Sequence, residues 1–598
     1  MQPTPKSMKT PAKLRNRHPV VKVRPLFLAA VALTCFATPA LADEALTLAA
    51  VPITQPTAIP AILATSNAPL ADALQAIRTG RWDAARAQIE AMSDRSLANY
   101  ARAELYLAAN SPRVEGDALS HLLAEAPNLP QAQRLAALAQ RRGMVTTPAI
   151  PVEQRLGWAG AAPRRGNPRS VADPALGDLG RTINARIVAD DPAGAEALLA
   201  SASTRLSVAT LTEWQYRVAW SYYIENDNVN ARRVAAMAQS GGGDWVAQAD
   251  WAQGLASWRM GDCRTAMAAF RSAAGRTNEA EVEAAGNFWF ARAATACGAP
   301  QEAQPALRRA AAMDETFYGQ LAAESLGIQR STSFAAVPND RRVTALPNVR
   351  AATALVAAGE MQLADQTLRH QARIGAAADH GALLAIAGSL GLPETQLFLA
   401  HNAPSGVRPT GIARYPAPNW APVGGWQINP ALIFAHTLQE SQFRARVVSG
   451  AGAVGLMQVR PGTAGDMGLA GMGGNLTNPS VNMAMGQNYI EHLRDNPVTG
   501  GLLPKVIAAY NAGPTPLARW NSEIRDNGDP LLFIESIPYW ETRAYVGTVL
   551  RNMWVYERQL GTVTDSRALM AQGRWPRVPD APRGARIARA GTGVSGGN

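Results

Sequence analysis

The feature that most constrains the fold is a pair of positions that recurs along the first two-thirds of the chain. A Gly, Asn or Asp is followed five residues later by Ala in "GRWDAA" from Gly80, "DDPAGA" from Asp190, "NDNVNA" from Asn226, "GDCRTA" from Gly261, "GAPQEA" from Gly298 and "GEMQLA" from Gly359. From Asp190 the successive steps are 36, 35 and 37 residues, near the period of tetratricopeptide-like helix pairs. Gly and Asn suit a helix terminus, and Ala suits close approach of two helices. Three agreeing steps favour a stacked α-solenoid over alanine-rich helices of chance spacing.

At 598 residues the chain exceeds a single compact core, so further domains are expected. Residues 1–42 carry a basic stretch, the apolar run "LFLAAVALTCFA" and small residues at Ala40 and Ala42, the pattern of a secretory signal cleaved after Ala42. No later stretch is apolar for long enough to span a membrane. The leader holds seven Lys or Arg and no acid, which leaves 50 basic against 46 acidic residues beyond it. That mild balance gives no argument for nucleic acid and suits an anionic wall polymer. Cys35 departs with the leader, and in an oxidising compartment the remaining pair, Cys263 and Cys297, reads as a disulfide rather than a metal or catalytic site. Both lie at equivalent corners of neighbouring repeats.

Two Pro/Gly-rich breaks punctuate the chain: 146–177, an insertion or linker within the solenoid, and 402–425, a domain boundary. The expected organisation is a signal peptide (1–42), an α-superhelical domain (43–401), the linker, a helical module (426–565) and a disordered basic tail (566–598).

Within the last module "LQESQFRARVVSGAGAVGLMQVRPGTA" sets Glu440 against a stretch with no second acid as far as Gly465. Asn429 at the N-cap and Pro430 at the first position start a mostly apolar helix that ends near Glu440. Desolvation there raises a carboxyl pKa and keeps the proton that a general acid needs. Gly450, Gly452 and Gly455 then let a ligand lie against the main chain. Tyr510 and Asn511 fall in the last turn of a helix from Pro504 that stops at Gly513. Glu541 and Arg543 open a further helix with an apolar stripe at 546, 549, 550 and 553.

In combination, "ESQF", "SGAGAVGLMQVRPGTA", "NPSVNMAMGQNYIEHL", "AAYNAGP" and "IPYWETRAYV" resemble the soluble lytic transglycosylases, a family with a goose-lysozyme-like catalytic domain. "GQLAAESLG" at 319–327 is similar to the end of that family's superhelical domain. The resemblance implies an all-α fold, a superhelical solenoid followed by a lysozyme-like catalytic domain. It implies a periplasmic enzyme without metal or cofactor, whose partners are peptidoglycan glycan strands and possible cell-envelope proteins. Glu440 would act as acid and then base in cleaving the bond between N-acetylmuramic acid and N-acetylglucosamine, leaving 1,6-anhydromuramoyl ends. Ser449, Met457, Gln458, Tyr510, Asn511 and Glu541 match positions that line the glycan cleft. His436, four residues before Glu440 on the same helix, is placed to touch the site, but the motif does not call for it and it reads rather as a packing residue; Trp520 and Trp540 read as either sugar platforms or core. Two alternatives stay open: a muramidase in which a distant acid such as Asp466 positions water, and a scaffold that binds glycan without cleaving it.

Overall fold

The computed structural model describes residues 68–329, 340–462 and 475–582. The leader, Asp466 and residues 583–598 lie outside them.

The repeat signal translates into geometry position by position. All six turn residues adopt positive φ, between 57° at Asp190 and 78° at Gly359. The six alanines that follow, Ala85, Ala195, Ala231, Ala266, Ala303 and Ala364, are all buried. Each turn separates two antiparallel helices, as in Val208–Ile224 with Asn228–Gln239 and Val246–Arg259 with Cys263–Gly275. The left-handed residue ends one helix, and the alanine lets the next one close against it. Cys263 and Cys297 are joined, with Cα atoms 5.6 Å apart, so the disulfide ties the start of the helix after one turn to the end of the helix before the next.

Two apolar cores organise these helices. One gathers residues of the first five helices (70–139) with residues 343–413. The other gathers residues 183–323 with the C-terminal module as far as Val578. The chain thus leaves the first core, builds the second and returns, and helix Arg95–Leu107 packs on helix Pro347–Ala357.

The stretch at 146–177 is a pinned strap rather than a free linker. The Gln154 amide N–H donates to the Arg373 carbonyl at 2.8 Å, and Gly157–Trp158 pairs antiparallel with Asn402–Ala403. Further on, Arg165 makes bonds of 2.6 and 2.7 Å to the two carboxylate oxygens of Glu535 and lies over the Trp251 ring at 4.5 Å. Ile150 and Leu156 pack on the first core and Val171 and Leu176 on the second, but they are spaced without helical or strand periodicity, so no sequence signal announced this anchoring. The 402–425 boundary is packed as well: Arg414 pairs with Glu315 at 2.6 Å.

The tail expectation needs correction for residues 566–582. Ser566–Ala571 is helical, Trp575 packs on Phe533 at 5.4 Å, and Leu502 and Ile428 form bridges with Arg577 and Asp580. This segment is poor in apolar residues, yet it pairs through its backbone. The Asn429 N–H donates to the Pro579 carbonyl at 3.0 Å, which braces the start of the Glu440 helix.

Candidate active site

Glu440 lies in the last turn of helix Pro430–Ser441. The Asn429 side chain caps its start by accepting from the Ala431 N–H, and Pro430 occupies the first turn. Ile433 and Phe434 are fully buried, so the helix is held by its apolar face and offers the carboxyl at its end. Two consecutive non-glycine residues, Gln442 (φ 54°) and Phe443 (φ 62°), then turn left-handed. Each costs about 1 kcal/mol, and the buried Phe443 ring, 6.0 Å from Phe434, offsets that cost.

Around the carboxyl the side chains form a chain of hydrogen bonds. The Tyr545 hydroxyl, from helix Trp540–Leu560, donates to Glu440 Oε1 at 2.5 Å. His436 Nδ1, one turn before Glu440, lies 2.8 Å from the same hydroxyl oxygen. Tyr510 stacks obliquely on His436 with ring centroids 4.4 Å apart. Burial in this aromatic cluster raises the Glu440 pKa from 4.5 to about 7. The Tyr545 bond pulls it back, and the negative charge of Glu541 raises it further. Desolvation and the Glu440 charge hold the Tyr510 and Tyr545 hydroxyls protonated, and desolvation lowers His436 to about 3. At neutral pH the site therefore holds neutral aromatic groups around one acid poised between its two forms.

The glycine-rich segment forms a tight double turn, with bridges Val448 to Val454 and Val454 to Val459. Ser449 Oγ accepts from the Ala453 N–H at 3.0 Å. A fully buried amide, Asn482, clamps the turn: its Oδ1 accepts from the Met457 N–H at 2.8 Å, and its Nδ2 donates to Val454 and Leu476 carbonyls. At Gly455 (φ 78°) a Cβ would lie 2.4 Å from both Asn482 Nδ2 and the Leu476 oxygen, so glycine is required by space as well as by conformation.

The expected site residues separate on inspection. Tyr510 reaches across to the turn and donates to the Met457 carbonyl at 2.8 Å. Gln458, itself at φ 49°, donates to the Gly455 carbonyl at 3.0 Å. Asn511 Oδ1 accepts from Thr542 at 2.6 Å, tying the Tyr510 helix to the Tyr545 helix. Glu541 is exposed in the first turn of that helix. Met457 departs from the expectation: its side chain is fully buried against Gly486, where an added Cβ would lie 2.2 Å from its sulfur. It supports the turn and offers its backbone, not its thioether, to the Tyr510 side. Arg543 makes no ion pair with Glu541; it turns to the Ile537 carbonyl and the Trp220 ring of the solenoid, 4.1 Å away. Trp520 is core, and Trp540 is 61% exposed beside Glu541.

Two contributors escaped the sequence reading, and a third was weighed there and set aside. Tyr545 sits inside the quoted "ETRAYV", five residues after Trp540, where its hydroxyl was indistinguishable from a core ring. Asn482 sits in "NPSVN", where it reads as a helix-start residue. His436 was assigned to packing, and it does pack, but through a polar contact to Tyr545.

Comparison with known proteins gives the same picture. Residues 423–532 match the family model "Transglycosylase SLT domain". The endo-type membrane-bound lytic murein transglycosylase A of Klebsiella pneumoniae is 32% identical over 143 residues, 21% of this chain and 70% of that protein. The chain belongs to the lytic murein transglycosylase family. The soluble lytic murein transglycosylase of Escherichia coli is 33% identical over 159 residues, 26% of this chain. That alignment spans about a quarter (24%) of the relative's own length. The crystal structure of the 70-kDa soluble lytic transglycosylase of Escherichia coli superposes with a TM-score of 0.51 at 19% identity, covering 86% of this chain and 99% of that one. The shared architecture of this transglycosylase-family chain is thus an all-α superhelical region followed by a lysozyme-like helical domain.

Proposed function

We propose that the protein is a peptidoglycan lytic transglycosylase in which Glu440 serves first as acid and then as base. The observation that carries this reading is the environment of Glu440: a desolvated carboxyl at a helix end, held by Tyr545, with a pKa of about 7. An acid poised there is partly protonated at neutral pH and is a competent base once it has given its proton away. It donates to the glycosidic oxygen between N-acetylmuramic acid and N-acetylglucosamine, and the C1–O bond breaks. The substrate's own acetamido group stabilises the positive centre at C1. The Glu440 carboxylate then takes the proton of the muramoyl C6 hydroxyl as its oxygen bonds to C1. Atoms balance without water, and the product carries a 1,6-anhydromuramoyl end. Ser449, Gln458, Tyr510, Asn511 and Glu541 surround the strand, and the turn clamped by Asn482 supplies backbone groups to it.

A second reading has one observation in its favour. Glu541 is close enough for its charge to raise the Glu440 pKa, so it is a candidate to steer a water in a hydrolytic muramidase. Glycosidases that hydrolyse use such a second carboxylate. Digestion of purified peptidoglycan followed by mass spectrometry separates the two: anhydromuramoyl ends support the first reading, and ends heavier by one water support the second.

The export signal expected from residues 1–42 supports a periplasmic site for this reaction, on the glycan side of the membrane. Among the described residues no helix is long and apolar enough to cross a membrane. The solenoid surface offers room to guide a glycan strand or to dock cell-envelope proteins.

A further inference from the structure

His436 stands outside the family motif, yet it is the second link of the chain that ends on Glu440. It is fully buried, its Nδ1 is 2.8 Å from Tyr545 Oη, and its Nε2 is buried with no hydrogen-bond partner. Tyr545 Oη in turn lies on Glu440 Oε1. The groups that face this chain are Tyr510, stacked on the imidazole, Tyr489 behind Tyr510, and the exposed Glu541, whose charge reaches Glu440.

The orphan nitrogen decides which way the chain runs. A neutral imidazole carries its proton on Nδ1 or on Nε2. With the proton on Nε2, a buried N–H has no acceptor, which is the rarer and costlier defect. In that tautomer Nδ1 accepts from Tyr545, so the tyrosine has no proton left for Glu440. A protonated Glu440 would then point its own proton from Oε1 back at Tyr545, away from any substrate. With the proton on Nδ1 the chain runs the other way: His436 donates to Tyr545, Tyr545 donates to Oε1, and the exchangeable proton of Glu440 is confined to Oε2.

Resting on the transglycosylase reading, we infer that His436 is a positioning residue that fixes Tyr545 as a donor to Glu440 Oε1 and so reserves Oε2 for proton transfer. The same oxygen then gives the proton to the glycosidic oxygen and collects one from the C6 hydroxyl. The directional bond on Oε1 stays in place through both steps, so the carboxyl does not need to rotate between acting as acid and as base.

Two measurements on the full chain test this. In the first, the protein is labelled with 15N-histidine, and the His436 ring signals are assigned by their loss in His436→Asn. Protonation on Nδ1 is expected, together with loss of that preference in Tyr545→Phe. Protonation on Nε2 overturns the inference whether or not the protein cleaves glycan. In the second, kcat and KM for release of soluble muropeptides are measured for His436→Phe, His436→Asn, Tyr545→Phe and the double variant His436→Phe/Tyr545→Phe. The asparagine amide nitrogen takes the place of Nδ1. Loss of a hydrogen bond acting on a charged group predicts a fall in kcat of roughly tenfold or more in His436→Phe, with KM little changed. The asparagine variant should recover most of that loss, and the double variant should be no slower than Tyr545→Phe alone. Full additivity of the two losses, or equal activity of the phenylalanine and asparagine variants, overturns the inference. Products that carry an added water instead of anhydro ends overturn the reaction assignment and leave the tautomer result to decide the hydrogen-bond chain.

Discussion

Replacing Glu440 by Gln should abolish cleavage and, above neutrality, make the protein more stable. The carboxyl is desolvated, and its pKa rises from 4.5 to about 7 on folding. A carboxyl that binds its proton more tightly when folded contributes stability that is complete below about pH 4.5 and is lost as pH climbs to about 7. At about 1.4 kcal/mol per pH unit the interval from 4.5 to about 7 corresponds to about 3.5 kcal/mol; partial solvent access to Glu440 reduces this to about 2–3 kcal/mol. Glutamine keeps an oxygen for the Tyr545 hydroxyl and never ionises, so it escapes the penalty. The assay is denaturant unfolding of both proteins at about pH 4 and about pH 8.5, followed by tryptophan fluorescence. Glu557, also raised to about 7, titrates identically in both proteins and cancels. The difference in midpoint should be small in acid and favour Glu440→Gln in base. An advantage of equal size at both pH values would refute the reasoning, since it would owe nothing to ionisation.

Three further outcomes follow from the structure. Activity of the unmodified protein should fall as pH rises through about 7 because the acid form of Glu440 is lost, and Tyr545→Phe should move that limb upward by roughly one pH unit or more, read from pH–rate profiles. Gly455→Ala, which places a methyl 2.4 Å from the Leu476 carbonyl and Asn482, should lower stability by about 2–4 kcal/mol and disable the turn beside Glu440, seen as a lower unfolding midpoint with lost cleavage. Arg165→Ala, which leaves Glu535 at 2% exposure without its cation, should cost about 3–5 kcal/mol and open the strap to limited proteolysis.

Much of this was legible because it is written in local chemistry. The repeat announced itself through residues that tolerate positive φ, and Asn429-Pro430 and Gly513 marked helix ends by their capping preferences. Glu440 stood out because the following stretch holds no other acid. What stayed hidden is non-local. Arg165 lies 370 positions from Glu535, and no periodicity connects them. The segment 575–581 is held by backbone bonds that any composition can make and by two apolar residues, Trp575 and Val578, too few to form a periodic signal. The role of Tyr545 depends on two helices crossing so that its hydroxyl meets Glu440, and that of His436 depends on the same crossing. Met457 was misread for a related reason: a motif gives the identity of a residue but not which way it points, and the lack of a side chain on Gly486 decides that here.

The most direct test of the central claim is the mass of the muropeptides released from purified peptidoglycan by the mature protein and by Glu440→Gln. The account predicts 1,6-anhydromuramoyl ends from the first and no release from the second. Reducing ends heavier by one water, or anhydro products that persist in Glu440→Gln, would contradict it.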